Sequence, residues 1–102
     1  MPITVRPSED QTTIQITITG SFDFSLHRDF RNAYRNVTQA GVKFNVNLHG
    51  AEYMDSAALG MLLLLREHAE KHKSYVILQA PSPEIKRILL MAKFDQMLAI
   101  DG

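Results

Sequence analysis

The hexapeptide Asp55-Ser56-Ala57-Ala58-Leu59-Gly60 has the clearest chemical potential in this chain. It lies where a strand-like segment gives way to an apolar, helix-like one, so Ser56 is predicted at the N-terminal end of a helix. Free backbone N–H groups and the helix dipole favour negative charge at that end. A serine hydroxyl there is well placed to accept a phosphate. Ser56 or Asp55 could instead simply cap the helix. If Asp55 is the cap, this role is compatible with phosphorylation of Ser56.

Other residues that could support catalysis do not form a recognisable site. Ser56, His49 and Asp55 are the residue types of a hydrolase triad, but no Gly-x-Ser-x-Gly sequence surrounds the serine. His68 and His72 have a spacing that can bind zinc on a helix, yet they lie in a charged segment that is predicted to be solvated. No glycine-rich phosphate loop is present. We therefore predict that the chain is not an enzyme and holds no metal or cofactor.

Length and composition set further bounds. The 102 residues, 45% of them hydrophobic, predict one domain spanning residues 1–102. The longest apolar run, residues 57–65, is far shorter than the roughly 20 residues that span a membrane. No secretory signal is recognised, and cysteine is absent. The 11 basic and 11 acidic residues balance, which argues against nucleic-acid binding or membrane insertion. A cytoplasmic location is expected.

Strands and helices are predicted to alternate along the chain. Apolar and polar residues alternate over residues 13–19, before Gly20, and over residues 42–48. Residues 75–80 form a third strand and residues 3–6 a short edge strand. Helices are predicted over residues 26–38, capped by Ser25, over residues 56–72, and after Ser82, with Pro83 in its first turn. Residues 97–100 are expected to form a terminal strand or a helical turn.

This order predicts an α/β fold. Short links between alternating strands and helices favour a mixed, mostly parallel sheet of four to five strands. Strands with one polar face each place the three to four helices largely on one side of the sheet.

The helix over residues 56–72 has no polar face in its first two turns. Either it is buried on all sides, or part of it is exposed and awaits a partner. Covering every face of a helix is difficult in so small a domain. We therefore favour a partner-binding face near Leu59 and Leu63.

Three motifs carry a resemblance to a known family. The run Tyr53-Met54-Asp55-Ser56-Ala57-Ala58-Leu59-Gly60 resembles the phosphorylation loop of STAS-domain proteins, the bacterial anti-sigma factor antagonists, with its Met-Asp-Ser-Ser/Ala-Gly-Leu/Ile-Gly pattern. The run Gly20-Ser21-Phe22-Asp23 resembles the family's Gly-Glu-Leu/Ile-Asp turn. The segment over residues 80–89 resembles its Ser-Pro-x-Val/Ile-x-Arg helix. Ala58 and Ser21 depart from the usual glycine and glutamate, but the acceptor serine remains.

The resemblance implies a partner switch. The unphosphorylated protein would bind a serine kinase of the histidine-kinase-like ATPase type, often itself an anti-sigma factor. Phosphorylation of Ser56 would release this kinase, and a PPM-type phosphatase would restore the binding form. The surface implied for partner binding contains Asp23, Asp55, Ser56, Ala57, Leu59 and Leu63.

A second function is compatible with the same family. The chain could be the STAS subunit of a membrane transport complex, docked on its ATPase subunit, where phosphorylation is not required. Retention of Asp55-Ser56 favours the phosphorylation switch.

Overall fold

Five strands form one mixed sheet in the order β1-β2-β3-β4-β5. The computed structural model describes residues 1–102 and gives the strands these bounds: β1 Ile3–Pro7, β2 Thr13–Phe22, β3 Lys43–Met54, β4 Tyr75–Gln79 and β5 Ala99–Asp101. Strand β1 pairs antiparallel with β2, and all other neighbours are parallel. The predicted α/β fold with a mixed, mostly parallel sheet is confirmed.

Three α-helices connect the parallel strands: α1 His27–Tyr34, α2 Ser56–Lys71 and α3 Pro83–Met91. Two short 3-10 turns, Phe24–Leu26 and Phe94–Gln96, precede α1 and β5. The start of α3 follows the sequence prediction, because the Ser82 hydroxyl accepts a hydrogen bond from the Ile85 N–H at 3.3 Å and Pro83 occupies the first turn. The terminal segment, predicted as a strand or a turn, ends as strand β5.

The core lies between one face of the sheet and the helices. Ile16 on β2 and Val46 on β3 are fully buried, as are Leu62 and Leu65 on α2, and all belong to one cluster of 25 buried residues. The opposite face of β2 carries polar, partly exposed residues such as Gln15. This segregation agrees with the prediction that the helices lie largely on one side.

Strands β2 and β3 are longer than the sequence predicted. Gly20 does not end β2: it has φ +75 and lies where the register with β3 shifts, so the strand bends there and continues to Phe22. Strand β3 runs through Gly50 to Met54 in the same way, paired with this extension. The added length carries both strands to the turns that hold the candidate site.

Helix α1 is shorter than predicted, and the cap is a different residue. Asp23, not Ser25, caps the chain here, and it caps the 3-10 turn that comes before α1. The helix then ends at Tyr34 instead of continuing to Thr38. The aspartate wins because its carboxylate accepts hydrogen bonds from both the backbone N–H and the hydroxyl of Ser25.

Candidate functional site

The ends of β2 and β3 bring two aspartates to the same edge of the sheet. Phe22 and Met54 are paired residues on these parallel strands, and Asp23 and Asp55 directly follow them. The Asp55 N–H donates to the Phe22 carbonyl at 3.4 Å, which ties the two turns together. The carboxyl edge of a parallel sheet is the common place for binding sites in α/β proteins.

Asp55 is the N-cap of α2. Its backbone is extended, with φ −110, and its carboxylate accepts a hydrogen bond from the Ala58 N–H at 2.9 Å. This satisfies one of the donors that a helix N-terminus leaves free. Ala58, which stands where the family pattern has glycine, is fully buried beneath this turn.

Ser56 is the first residue of α2, and its side chain is exposed. Its neighbour Ala57 is half-buried. Because Asp55 occupies the Ala58 N–H, the first-turn N–H groups of Ser56 and Ala57 remain as donors near the hydroxyl. A phosphate on Ser56 would therefore be attached at the positive end of the helix dipole, in contact with solvent.

Asp23 is half-buried in the neighbouring turn. Its carboxylate accepts the Ser25 N–H at 2.9 Å, so its position is fixed by local hydrogen bonds. The site as a whole thus combines the exposed Ser56 with two carboxylates that local hydrogen bonds hold in place. This arrangement supplies an exposed acceptor for covalent modification.

The two leucines proposed for partner contact are only partly accessible. Leu59 and Leu63 are half-buried and pack against the core cluster. The most exposed leucine of α2 is instead Leu64, with 58% of its surface accessible. Ser56, Gly60 and Leu64 follow at four-residue intervals, so they form one exposed stripe along the helix.

Sequence reasoning also missed Phe24, directly after Asp23. Its ring is 62% exposed and stacks on His27, with the ring centroids 4.3 Å apart. Phe24 lies in a 3-10 turn, just before the predicted helix over residues 26–38, so it belongs to no strand or helix periodicity that would have singled it out. An aromatic residue next to a family turn motif was the available signal.

The structure places the three histidines that were considered for a hydrolase triad or a zinc site. His49 lies on β3, six residues before Asp55 along an extended strand, which places it about 20 Å from Asp55 and argues against a triad. His68 differs from the expectation of a solvated residue: it is half-buried beside Tyr34, and its Nε2 donates to the Val37 carbonyl at 2.8 Å. His72 lies against it, with ring centroids 4.6 Å apart.

Comparison with known proteins establishes the family. Residues 5–99 match the family model described as Mlab, STAS domain. The chain belongs to the STAS-domain family. A STAS-domain containing protein of Pseudomonas aeruginosa (strain UCBPP-PA14) is 45% identical over 100 residues, which cover 98% of this chain and 99% of that protein.

Solved structures of anti-sigma factor antagonists share the fold. One is the anti-sigma-factor antagonist (STAS) domain protein from Planctomyces limnophilus, with a TM-score of 0.81, 15% identity, and coverage of 98% of this chain and 89% of that chain. Another is the Bacillus cell fate determinant SpoIIAA in its phosphorylated form, with a TM-score of 0.68, 19% identity, and coverage of 98% and 90%. The STAS-domain assignment made from the three motifs is confirmed. None of the three α-helices is long and apolar enough to cross a membrane.

Proposed function

We propose that this chain is the phosphorylation-controlled binding protein of a bacterial partner switch. The unphosphorylated form binds and sequesters a serine kinase of the histidine-kinase-like ATPase type, which also acts as an anti-sigma factor or a related regulator. The kinase phosphorylates Ser56, and the complex then dissociates. A PPM-type phosphatase removes the phosphate and restores binding.

The observation that carries this proposal is the placement of Ser56. Its hydroxyl is exposed at the first position of α2, next to a cap that Asp55 already provides. Ser56 is therefore not needed to cap the helix, and a kinase can reach it without disturbing the core. The match to the STAS family over residues 5–99 supports a role in binding a protein partner, and the transport alternative shares this support.

Charge explains how a phosphate would switch partners. Phosphorylation adds about −1.5 to −2 charges at neutral pH to an edge that already carries Asp23 and Asp55. The dipole of α2 offsets part of this repulsion, so the domain stays folded. A partner surface that fits a small neutral hydroxyl then meets a bulky dianion. A loss of about 3 kcal/mol would weaken the complex roughly a hundredfold.

The direct experiment uses affinity baits in a lysate of the source cell. Wild-type protein, Ser56→Ala and Ser56→Asp are immobilised, and the captured proteins are identified by mass spectrometry. We expect the alanine form to retain a histidine-kinase-like ATPase, the aspartate form to lose it, and a PPM-type phosphatase to be recovered on protein that was phosphorylated at Ser56 beforehand.

Thr38→Asp provides the charge control. Thr38 is exposed and lies between the end of α1 and the start of β3, whereas Ser56 follows the end of β3. The same added charge at the opposite ends of the strands should leave capture unchanged. Recovery of a transport ATPase that is equally bound by all five baits would contradict the proposal and support the transport alternative.

A further inference from the structure

A surface groove separates α1 from α2 on the side of α2 that carries Leu64. It has a volume of about 620 Å3. Phe24 and Leu64 stand at its margin with 62% and 58% of their surfaces exposed, while Phe30 and Met61 form its buried floor. Although Phe24 stacks on His27, it and Leu64 leave two large apolar surfaces exposed on either side of one groove.

The rim of this groove is positively charged. Arg31, Arg35 and Lys71 line it, against the single carboxylate of Glu67. The only ion pair of the protein joins Arg66 to Glu70, so none of the three rim cations has a carboxylate within 4.0 Å. The chain as a whole has a formal charge of zero. The positive charge of the rim is therefore a local concentration that complements an acidic ligand.

Gly60 adds an independent sign of close approach. It is exposed in the interior of α2, and a Cβ atom built on it would meet nothing within 4 Å. Glycine in such a position costs about 1 kcal/mol relative to alanine, and no packing within the domain requires it. Gly60 lies one turn before Leu64 on the same stripe, where a partner backbone could approach the helix closely.

We infer that the groove between α1 and α2 docks an acidic amphipathic helix of a protein partner. The apolar face of the partner helix contacts Phe24 and Leu64. The Asp and Glu residues of that helix face the three cations of the rim, Arg31, Arg35 and Lys71. A helix satisfies its own backbone hydrogen bonds, whereas an extended peptide would find no open strand edge between two helices.

This inference rests on the proposed function, because it supplies the binding mode of the partner that Ser56 controls. Ser56 lies about 6 Å along the helix axis from Gly60, on the same stripe. A phosphate there would repel an acidic helix that passes over Gly60. The acidic residues that draw the partner helix to the groove of the unphosphorylated protein thus also make its binding sensitive to a phosphate on Ser56.

The test uses three synthetic peptides of about 16 residues with a fluorescent label. The first has a leucine stripe flanked by Glu, the second has the same stripe flanked by Lys, and the third is a scrambled form of the first. Binding is measured by fluorescence polarisation, and the site is mapped by amide chemical-shift changes in the ¹⁵N-labelled protein. We expect only the Glu-flanked peptide to bind, with shifts centred on Phe24, Gly60 and Leu64.

Substitutions in the protein sharpen this test. Leu64→Ala and Phe24→Ala should each weaken the Glu-flanked peptide at least about tenfold. Met91→Ala is the matched control, since Met91 is 78% exposed on α3, outside the groove, and should bind like wild type. The double variant Arg31→Glu/Arg35→Glu should reverse the preference in favour of the Lys-flanked peptide.

Several results would overturn the groove assignment. They are failure of all three peptides to bind, equal binding of the Glu- and Lys-flanked peptides, and shifts located elsewhere. A concentration-dependent dimer in sedimentation equilibrium that Leu64→Glu dissociates would also overturn it, because the occupant would then be a second copy of this chain.

The groove and the switch can fail separately. If Ser56→Asp abolishes kinase binding while Leu64→Ala and Phe24→Ala bind the kinase like wild type, the groove assignment is wrong and the proposed function stands. If the groove variants lose both peptide and kinase but Ser56→Asp binds the kinase normally, the groove stands and phosphorylation control is wrong.

Discussion

Replacement of Gly60 by alanine should stabilise the protein and weaken its complex. The added methyl group meets no atom within 4 Å, and the residue is exposed in the middle of α2, so no clash opposes the better helix propensity of alanine. The expected gain in the free energy of unfolding is about 0.5 to 1 kcal/mol. In a domain of this size it corresponds to a rise in Tm of roughly 2 to 5 °C.

Partner binding should change in the opposite direction. If a partner backbone passes close to Gly60, the methyl group must displace it, and the affinity for the kinase should fall at least about tenfold, or 1.4 kcal/mol. Melting curves and calorimetric titrations on the same samples measure both effects. A variant that is more stable but binds like wild type would show that no partner backbone passes close to Gly60. A less stable variant would show that the surface of α2 at Gly60 does not have room for the methyl group.

Gly41→Ala is the matched control. A Cβ atom on Gly41 would also meet nothing within 4 Å, but its backbone has φ +77. Alanine is strained in this left-handed conformation, so the same substitution should lower stability by about 1 kcal/mol. The two variants differ in backbone conformation and not in available space.

Three further outcomes follow from the site and its supporting core. Asp55→Ala should lower the free energy of unfolding by about 1 kcal/mol through loss of the bond to the Ala58 N–H, whereas Asp55→Asn should retain most of it, as denaturant titration would show. Asn45→Val should raise stability by about 1 kcal/mol, because the buried Asn45 Oδ1 has no hydrogen-bond partner and valine suits a strand; a lower Tm would contradict this. Burial raises the pKa of Tyr34 above its ordinary value of 10.0, so the folded state holds this proton more tightly than the unfolded state does. The stabilisation is present below about pH 10 and is lost as the pH rises through the folded pKa, and Tyr34→Phe should reduce this alkaline loss in melts above pH 9 to 10.

The sequence predicted the elements with strong local signals. Alternation over Ile14, Ile16 and Ile18 marked β2, and Ser82-Pro83 marked the start of α3, because both signals are carried by neighbouring residues. The extension of β2 past Gly20 was missed, since glycine usually interrupts a strand and only its pairing with β3 shows that the strand continues. The register of two strands is a tertiary property.

The residues of the candidate site that form a motif could be located from the sequence, whereas the exposed surface beside them could not. Asp23, Asp55 and Ser56 were named from local sequence, and the fold brings their turns together at one edge. Which leucine of an apolar helix faces solvent depends on where α1 packs, so Leu64 could not be separated from Leu59 and Leu63. Phe24 is exposed because Asp23, and not Ser25, caps the chain here and begins a 3-10 turn. The sequence alone did not decide which of these two residues is the cap.

Calorimetric titration of the captured kinase with wild-type protein, Ser56→Ala and Ser56→Asp tests the central claim most directly. Melting curves recorded on the same three samples establish that each is folded. We expect Ser56→Ala to bind as tightly as the unphosphorylated wild type and Ser56→Asp to bind at least about a hundredfold more weakly. All three should melt within a few degrees of one another. Equal affinity of the aspartate and alanine forms, or a loss of binding that accompanies unfolding, would contradict the switch.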